Sequence, residues 1–301
     1  LGWEAAHVVE GFDVRADGAA VEGWASARLP FEPKGWLLDY RRALQGAIGD
    51  LNRPCPQLYC AYTSADVHLS DVENVLLYNV GASAFGGLGV TEVTVERFFR
   101  PPSSPRQRSF SPDHHHIYRC GHSPATPDWP AIARWPPTEV TVPFRIERLW
   151  SALRSSVVSV VVTEPGTARL SLQLELEHPT TARPPAVLSA MKVLIDGAIA
   201  SLHAHDGRDL DDLAVRLAPR LDRAAPEIAE ELMDTSHAVL GRRRLLWPVG
   251  SFVQWNPADD GIVWLRAKVH PGAAWRISGD LRAVGAEQDH RGDAASHHDP
   301  L

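Results

Sequence analysis

One order of elements is written twice along this chain, on either side of a proline-dense stretch, and that repetition limits the fold more than any other feature. In the first half "WLLDYRRALQGAIGDL" places Trp36, Leu37, Tyr40, Leu44, Ala47 and Ile48 at helical spacing. The strand "QLYCAYT" follows, then a polar loop, a short helix "SDVENVLLYNVG", a glycine-rich turn and the strand "VTEVTVERFF". In the second half "RIERLWSALRSSVVSVV" reads as a helix and "ARLSLQLELEH" as an alternating strand. The helix "PAVLSAMKVLIDGAIASLHAH" comes next, and "LDDLAVRL" is expected to be the closing strand. Helix, strand, loop, helix, strand occurs twice, as expected of a chain duplicated in architecture.

These boundaries predict an α+β protein: a first unit over 24–100, a proline-rich linker over 101–137 and a second unit over 138–222. An extension over 223–282 holds the helix "PEIAEELMDTSHAVL" and a β-hairpin, "SFVQWNPADDGIVWLRAKV". The tail over 283–301 has few large apolar residues and is expected to be disordered. With 301 residues and 44% hydrophobic composition the chain can bury a large core, and no apolar run reaches the length of a membrane span. Net charge −7 excludes a surface that is basic all over, so any nucleic-acid contact must use a local patch such as "RPPSSPRQR" or "GRRRLLW". Cys55, Cys60 and Cys120 are sparse and odd in number, which argues for a reducing cytosol rather than a disulfide scaffold. The opening "LGWEAAHVVEGFDV" lacks the basic start and apolar run of a signal peptide, while Leu1 in place of a methionine leaves a removed leader open.

Among the polar clusters, "SDVENVLL" carries the clearest chemistry. Asp71 and Glu73, with Glu92 from the next strand as a third carboxylate, have the oxygen-donor character that Mg²⁺ prefers. The competing structural reading is a capping box of Ser70 with Glu73, with Asp71 in the first turn suiting the helix dipole. Lys192 and Asp196 stand at i,i+4 on an otherwise apolar helix, and Lys192 lies at the edge of the stripe made by Val187, Leu188, Met191, Leu194, Ile195, Ala198, Ile199 and Leu202. A plain surface ion pair would explain them as well. The stretch Asp113, His114, His115, His116, Cys120 and His122 is read as a flexible histidine-rich loop more than as a Zn²⁺ site, because no second ligand pair accompanies it. Trp247, Trp255 and Trp264 suit either stacking on bases or core packing.

"KVLIDGAIASLHAHDGRDLDDL" resembles the later part of the signature of RusA-type Holliday junction resolvases. In that family a D-x-D-N element opens a helix, a lysine follows within a turn, an aspartate comes one turn later, and an acidic pair sits beyond a short loop. The second half matches at Lys192, Asp196 and Asp206, and departs at Ala186, Leu188 and Gly207. The first half matches at Asp71, Glu73 and Asn74, departs at Leu77 and Gly81, and has Glu92 at the third-carboxylate position. The resemblance implies two RusA-like units fused as a pseudo-dimer within one chain. It further implies Mg²⁺ held by Asp71, Glu73 and Glu92, branched DNA as substrate, phosphodiester cleavage, and assistance from Lys192 only if the two units face each other closely. The alternative is a binding or scaffold protein that keeps the fold and has lost the chemistry, as the split motif and the net charge suggest.

Overall fold

The computed structural model describes residues 4–9, 11–66, 71–102, 110–121, 124–159 and 169–285. Strands β1 (Glu4–Val9), β2 (Phe12–Ala16) and β3 (Ala20–Ala25) lead into helix α1 (Trp36–Gly49) and β4 (Gln57–Ser64). A short π-helical segment (Asn74–Tyr78) then precedes β5 (Glu92–Phe98) and β6 (His114–Cys120). The second half opens with β7 (Ala131–Glu139), α2 (Ile146–Ser156), β8 (Val158–Ser159), β9 (Leu170–Pro179) and α3 (Val187–Ser201). It continues through β10 (Ala204–His205), α4 (Leu210–Leu221), α5 (Ala225–Met233), β11 (Arg242–Arg243), β12 (Leu246–Val249) and β13 (Phe252–Trp255). A 3₁₀ turn (Asp259–Gly261) leads into β14 (Ile262–Gly272), and β15 (Arg276–Ala283) closes the fold. The protein is α+β, as its pattern of apolar residues predicts.

Among the described residues, eleven strands form one mixed sheet in the order β1-β2-β3-β6-β4-β5-β14-β9-β15-β7-β8. In the first half β6 lies between β3 and β4, antiparallel to both, and β5 runs parallel to β4. In the second half β15 lies between β7 and β9, antiparallel to both, and β14 runs parallel to β9. The two arrangements share strand order and sense, and they meet where β5 pairs antiparallel with β14. That junction brings the connection before β5 and the helix that follows β9 side by side.

Several expected boundaries are corrected. The stretch over 101–137 is not a linker, because β6 and β7 both belong to the large sheet. "LDDLAVRL" is not a strand but part of α4, where Leu213, Ala214 and Leu217 are buried on one face at helical spacing. The expected hairpin does not form: β13 pairs with β12, while β14 pairs with β5 and β9. The unit boundaries 24–100 and 138–222 therefore omit β6, β14, β15 and most of β3 and β7, strands that complete each half of the sheet. Cys55 and Cys120 are joined in a disulfide across 65 positions of sequence, a bond that the expected reducing cytosol does not favour. Most of the expected disordered tail lies outside the described residues.

The main core lies between one face of the sheet and the helices α1, α2 and α3. Helix α1 presents Tyr40, Leu44 and Ile48 at intervals of one turn. Helix α3 is apolar almost all round and is buried almost all round, as such a composition demands. It approaches α2 so closely at Gly197 that a Cβ there would stand 2.6 Å from the Cβ of Leu149. A second apolar cluster, including Trp150, Leu213, Leu217, Ile228 and Leu232, holds α4 and α5 against this layer.

Candidate cation site

Helix α3 carries one charged pair, Lys192 and Asp196, on its largely apolar surface, and it falls at the junction of the two halves. The side chain of Lys192 is 30% exposed, with its ammonium surrounded by acids. Its Nζ lies 3.1 Å from Glu73 Oε1, 2.5 Å from Asp259 Oδ2, 3.0 Å from Asp196 Oδ1 and 3.7 Å from Asp71 Oδ2. Lys192 and Asp196 come from α3, Asp71 and Glu73 from the entry to the π-helical segment, and Asp259 from the turn before β14.

The pairing of β5 with β14 explains the meeting, and Tyr78 fastens it. The Tyr78 hydroxyl donates to the Leu188 carbonyl and accepts from the Lys192 backbone N–H, at 3.2 and 3.0 Å. Those two groups are i and i+4 partners in a regular helix, so the hydroxyl engages α3 at the turn that presents the lysine. Asn74 donates its side-chain N–H to Asp71 Oδ2 at 2.5 Å and orients that carboxylate toward the cluster. The capping reading falls partly on Ser70, which lies outside the described residues, and no side-chain cap bond is made at Glu73, where the π-helical segment begins.

Electrostatics at this point are unbalanced, with four carboxylates facing one ammonium. Glu73 is fully buried, and desolvation pushes its pKa up to about 8, with Lys192 opposing and Asp259 and Asp71 reinforcing. Desolvation also raises Asp196 to about 7, opposed by Lys192 and aided by Asp259. Asp71 is raised by desolvation and by Asp259. Burial disfavours the charge on Lys192, but Glu73, Asp259 and Asp196 outweigh it and raise its pKa above the ordinary value. Glu73 Oε2 is buried and has no hydrogen-bond partner. A buried carboxylate oxygen left unpaired is costly, and a cation is the partner that would relieve it. One ligand atom from each of Asp71, Glu73 and Asp259 lies within 4.8 Å of the others, so these three residues could hold a metal ion.

Asp259 is the residue that sequence reasoning missed. It lies 6% exposed in a stretch, "NPADDG", whose composition reads only as a turn. Glu92 is not part of the site. On β5 the core-facing residues are Val93 and Val95, so alternation turns Glu92 to the opposite face of the sheet, where it pairs with Arg266 at 2.7 Å. Asp206 is also absent from the cluster: it accepts the Arg208 backbone N–H at 3.0 Å and lies 3.4 Å from His205 Nδ1.

His114–Cys120 of the histidine stretch form a central strand rather than a loop, and His122 lies outside the described residues. His114 shares a hydrogen bond with Tyr62 at 2.6 Å, and His115 shares one with Glu22 at 3.1 Å. His116 is fully buried, and burial lowers its pKa to about 3. Asp71, Glu73 and Asp259 are the convergent metal-ligating group among the described residues, and the histidines do not join one. Two of the three tryptophans pack: Trp264 is buried edge-on to Trp129 at 6.0 Å, and Trp255 is tilted on Trp150 at 5.6 Å, while Trp247 is half-buried on β12. Of the basic runs, residues 103–109 lie outside the described residues, while Arg244 is engaged by Asp209 at 2.6 Å. No family model and no curated protein matches the chain.

Proposed function

We propose that Asp71, Glu73 and Asp259 bind a divalent cation, with Mg²⁺ the ion, and that the protein cleaves phosphodiesters in branched DNA. The observation that carries this reading is the convergence of acids from both halves on one partly open point, with a buried oxygen of Glu73 unpaired. Hard oxygen donors suit Mg²⁺, which would supply Lewis acidity at a phosphoryl oxygen and make water a better nucleophile there. The chain's own residues would divide the work. Asn74 orients Asp71, Tyr78 anchors the turn of α3 that carries Lys192, and exposure at Asp71 and Lys192 marks the side from which a substrate could enter.

The resemblance of "DVEN" and "KVLID" to the RusA-type signature supports the same chemistry, with Asp259 taking the place expected of Glu92. On this reading the halves are two RusA-like units in one chain, and the shared order of β3, β6, β4, β5 and of β7, β15, β9, β14 supports that. Superposing β3–β6 and α1 on β7, β9, β14, β15 and α2 tests it; a common core that fails to align overturns it. A DNA substrate would place the protein in the cytoplasm. The Cys55–Cys120 bond pulls the other way, because disulfides are rare in a reducing cytosol.

A non-catalytic binding or scaffold protein is favoured by a different observation: Lys192 already supplies a cation to the cluster, so the acids can be a closed structural network. Melting curves separate the readings. Millimolar Mg²⁺ or Mn²⁺ is expected to raise the Tm, by mass action worth about 2.7 kcal/mol at a hundredfold excess over Kd. Asp71→Asn is expected to abolish that response and the cleavage of branched, duplex or single-stranded DNA. A parent protein whose melting and nuclease assays both ignore divalent ions would be the scaffold.

A further inference from the structure

The geometry points to Lys192 as a tethered cation that occupies the metal position and is displaced when a divalent ion binds. This inference rests on the metal-site reading and adds an order of events to it. The ammonium contacts Asp259 Oδ2, Glu73 Oε1 and Asp71 Oδ2 at 2.5, 3.1 and 3.7 Å, so it touches all three residues of the convergent group. Mg²⁺ binds oxygens at roughly 2.0–2.1 Å and needs them drawn in around it. An ion centred among these carboxylates would stand where the ammonium now stands, and two cations cannot share that volume.

Displacement is feasible because the lysine has somewhere to go. Asp196 does not belong to the convergent group, lies one turn further along α3, and already faces Nζ at 3.0 Å. A lysine stem has enough rotatable bonds to keep an i,i+4 pair with Asp196 while leaving the other three acids. Since the Lys192 side chain is 30% exposed, its retreat is toward the open side, where its charge would meet an incoming anion such as a phosphate. Metal loading would thus present a positive charge that the metal-free protein keeps engaged.

The test is Mn²⁺ titration of the full chain, followed by calorimetry and by the paramagnetic signal of free Mn²⁺, on the parent and on Lys192→Met. Removing an internal competitor should tighten the Kd, on the order of 10-fold, a typical coupling between two mutually exclusive events. A second measurement uses the parent alone, in case the variant fails to fold. Amine acetylation read by peptide mass spectrometry should show Lys192 becoming several-fold more reactive on adding Mn²⁺, with Lys34 and Lys268 unchanged as references. A parent that binds Mn²⁺ while Lys192→Met binds it no more tightly overturns the displacement and leaves the metal site standing. Lys192 reactivity that is unchanged or lowered by bound Mn²⁺ does the same. A parent that binds no Mn²⁺ overturns both.

Discussion

Glu73 shows at the scale of one residue how burial turns an ordinary carboxylate into a sensor of its surroundings. Its pKa stands at about 8 against a reference of 4.5, with desolvation the largest cause. Asp196 is raised in the same direction, to about 7 from 3.8. The folded protein therefore holds protons that the unfolded chain has already released. Where the native state binds more protons, stability falls as pH rises. Without divalent ions, the Tm is expected to decline as pH rises from about 4.5 through 8. Glu73→Gln should flatten that decline, because a neutral amide has nothing to ionise. Lys192 contributes in a different window: its raised pKa means that its support is present below 10.5 and is lost only above it. A Tm that climbs between pH 5 and 8 in metal-free buffer would refute this account of Glu73.

At the scale of elements, the contact between α2 and α3 decides how close the site's helix can lie to its neighbour. Gly197 faces the Leu149 Cβ, and a methyl group placed there would stand 2.6 Å away. Gly197→Ala gains helix propensity worth about 1 kcal/mol but must push the helices apart. Overpacking of that kind costs about 1–3 kcal/mol, so a net loss of stability is expected in denaturant titration. Leu149→Ala is not expected to rescue the variant, since alanine keeps the Cβ that makes the contact. Tyr78 works at the same scale by joining the first-half segment to α3 through Leu188 and Lys192. Tyr78→Phe should weaken Mn²⁺ binding severalfold while changing the Tm little, because it frees the segment that carries Asp71 and Glu73 from α3 without opening a cavity.

For the whole molecule, two long-range connections matter most. The first is the antiparallel pairing of β5 with β14, which makes one sheet of two similarly ordered halves and brings their polar segments together. The second is the Cys55–Cys120 disulfide, which ties the start of β4 to the end of β6 across 65 positions. Cross-links closing loops of this kind typically contribute about 2–4 kcal/mol by restricting the unfolded chain. Cys120→Ser is therefore expected to lower stability by about that amount, and a reductant should lower the parent's Tm without altering that of the variant. A thiol count under denaturing, non-reducing conditions checks the bond directly: Cys60 alone should react.

Most helix positions were legible in the sequence because apolar side chains at turns of 3.6 residues have only one way to share a face, while α4, too short a run in "LDDLAVRL" to show its period, reads as a strand. Tyr40, Leu44 and Ile48 are buried as that spacing requires, and Lys192 occupies the edge that the spacing assigns. Asp71, Glu73 and Asn74 could be singled out because acids clustered at a helix entry are locally conspicuous. Strand neighbours were not legible, since a strand's sequence shows that it alternates but not which partner will take its hydrogen bonds. For that reason β6 looked like part of a linker, and β13 with β14 looked like a hairpin. The choice of third carboxylate follows from the same limit. Alternation alone told that Glu92 and Val93 face opposite ways, but not which face would carry the helices. Only when β14 settled beside β5 did Asp259, distant in sequence and unremarkable within its turn, arrive at the ammonium of Lys192.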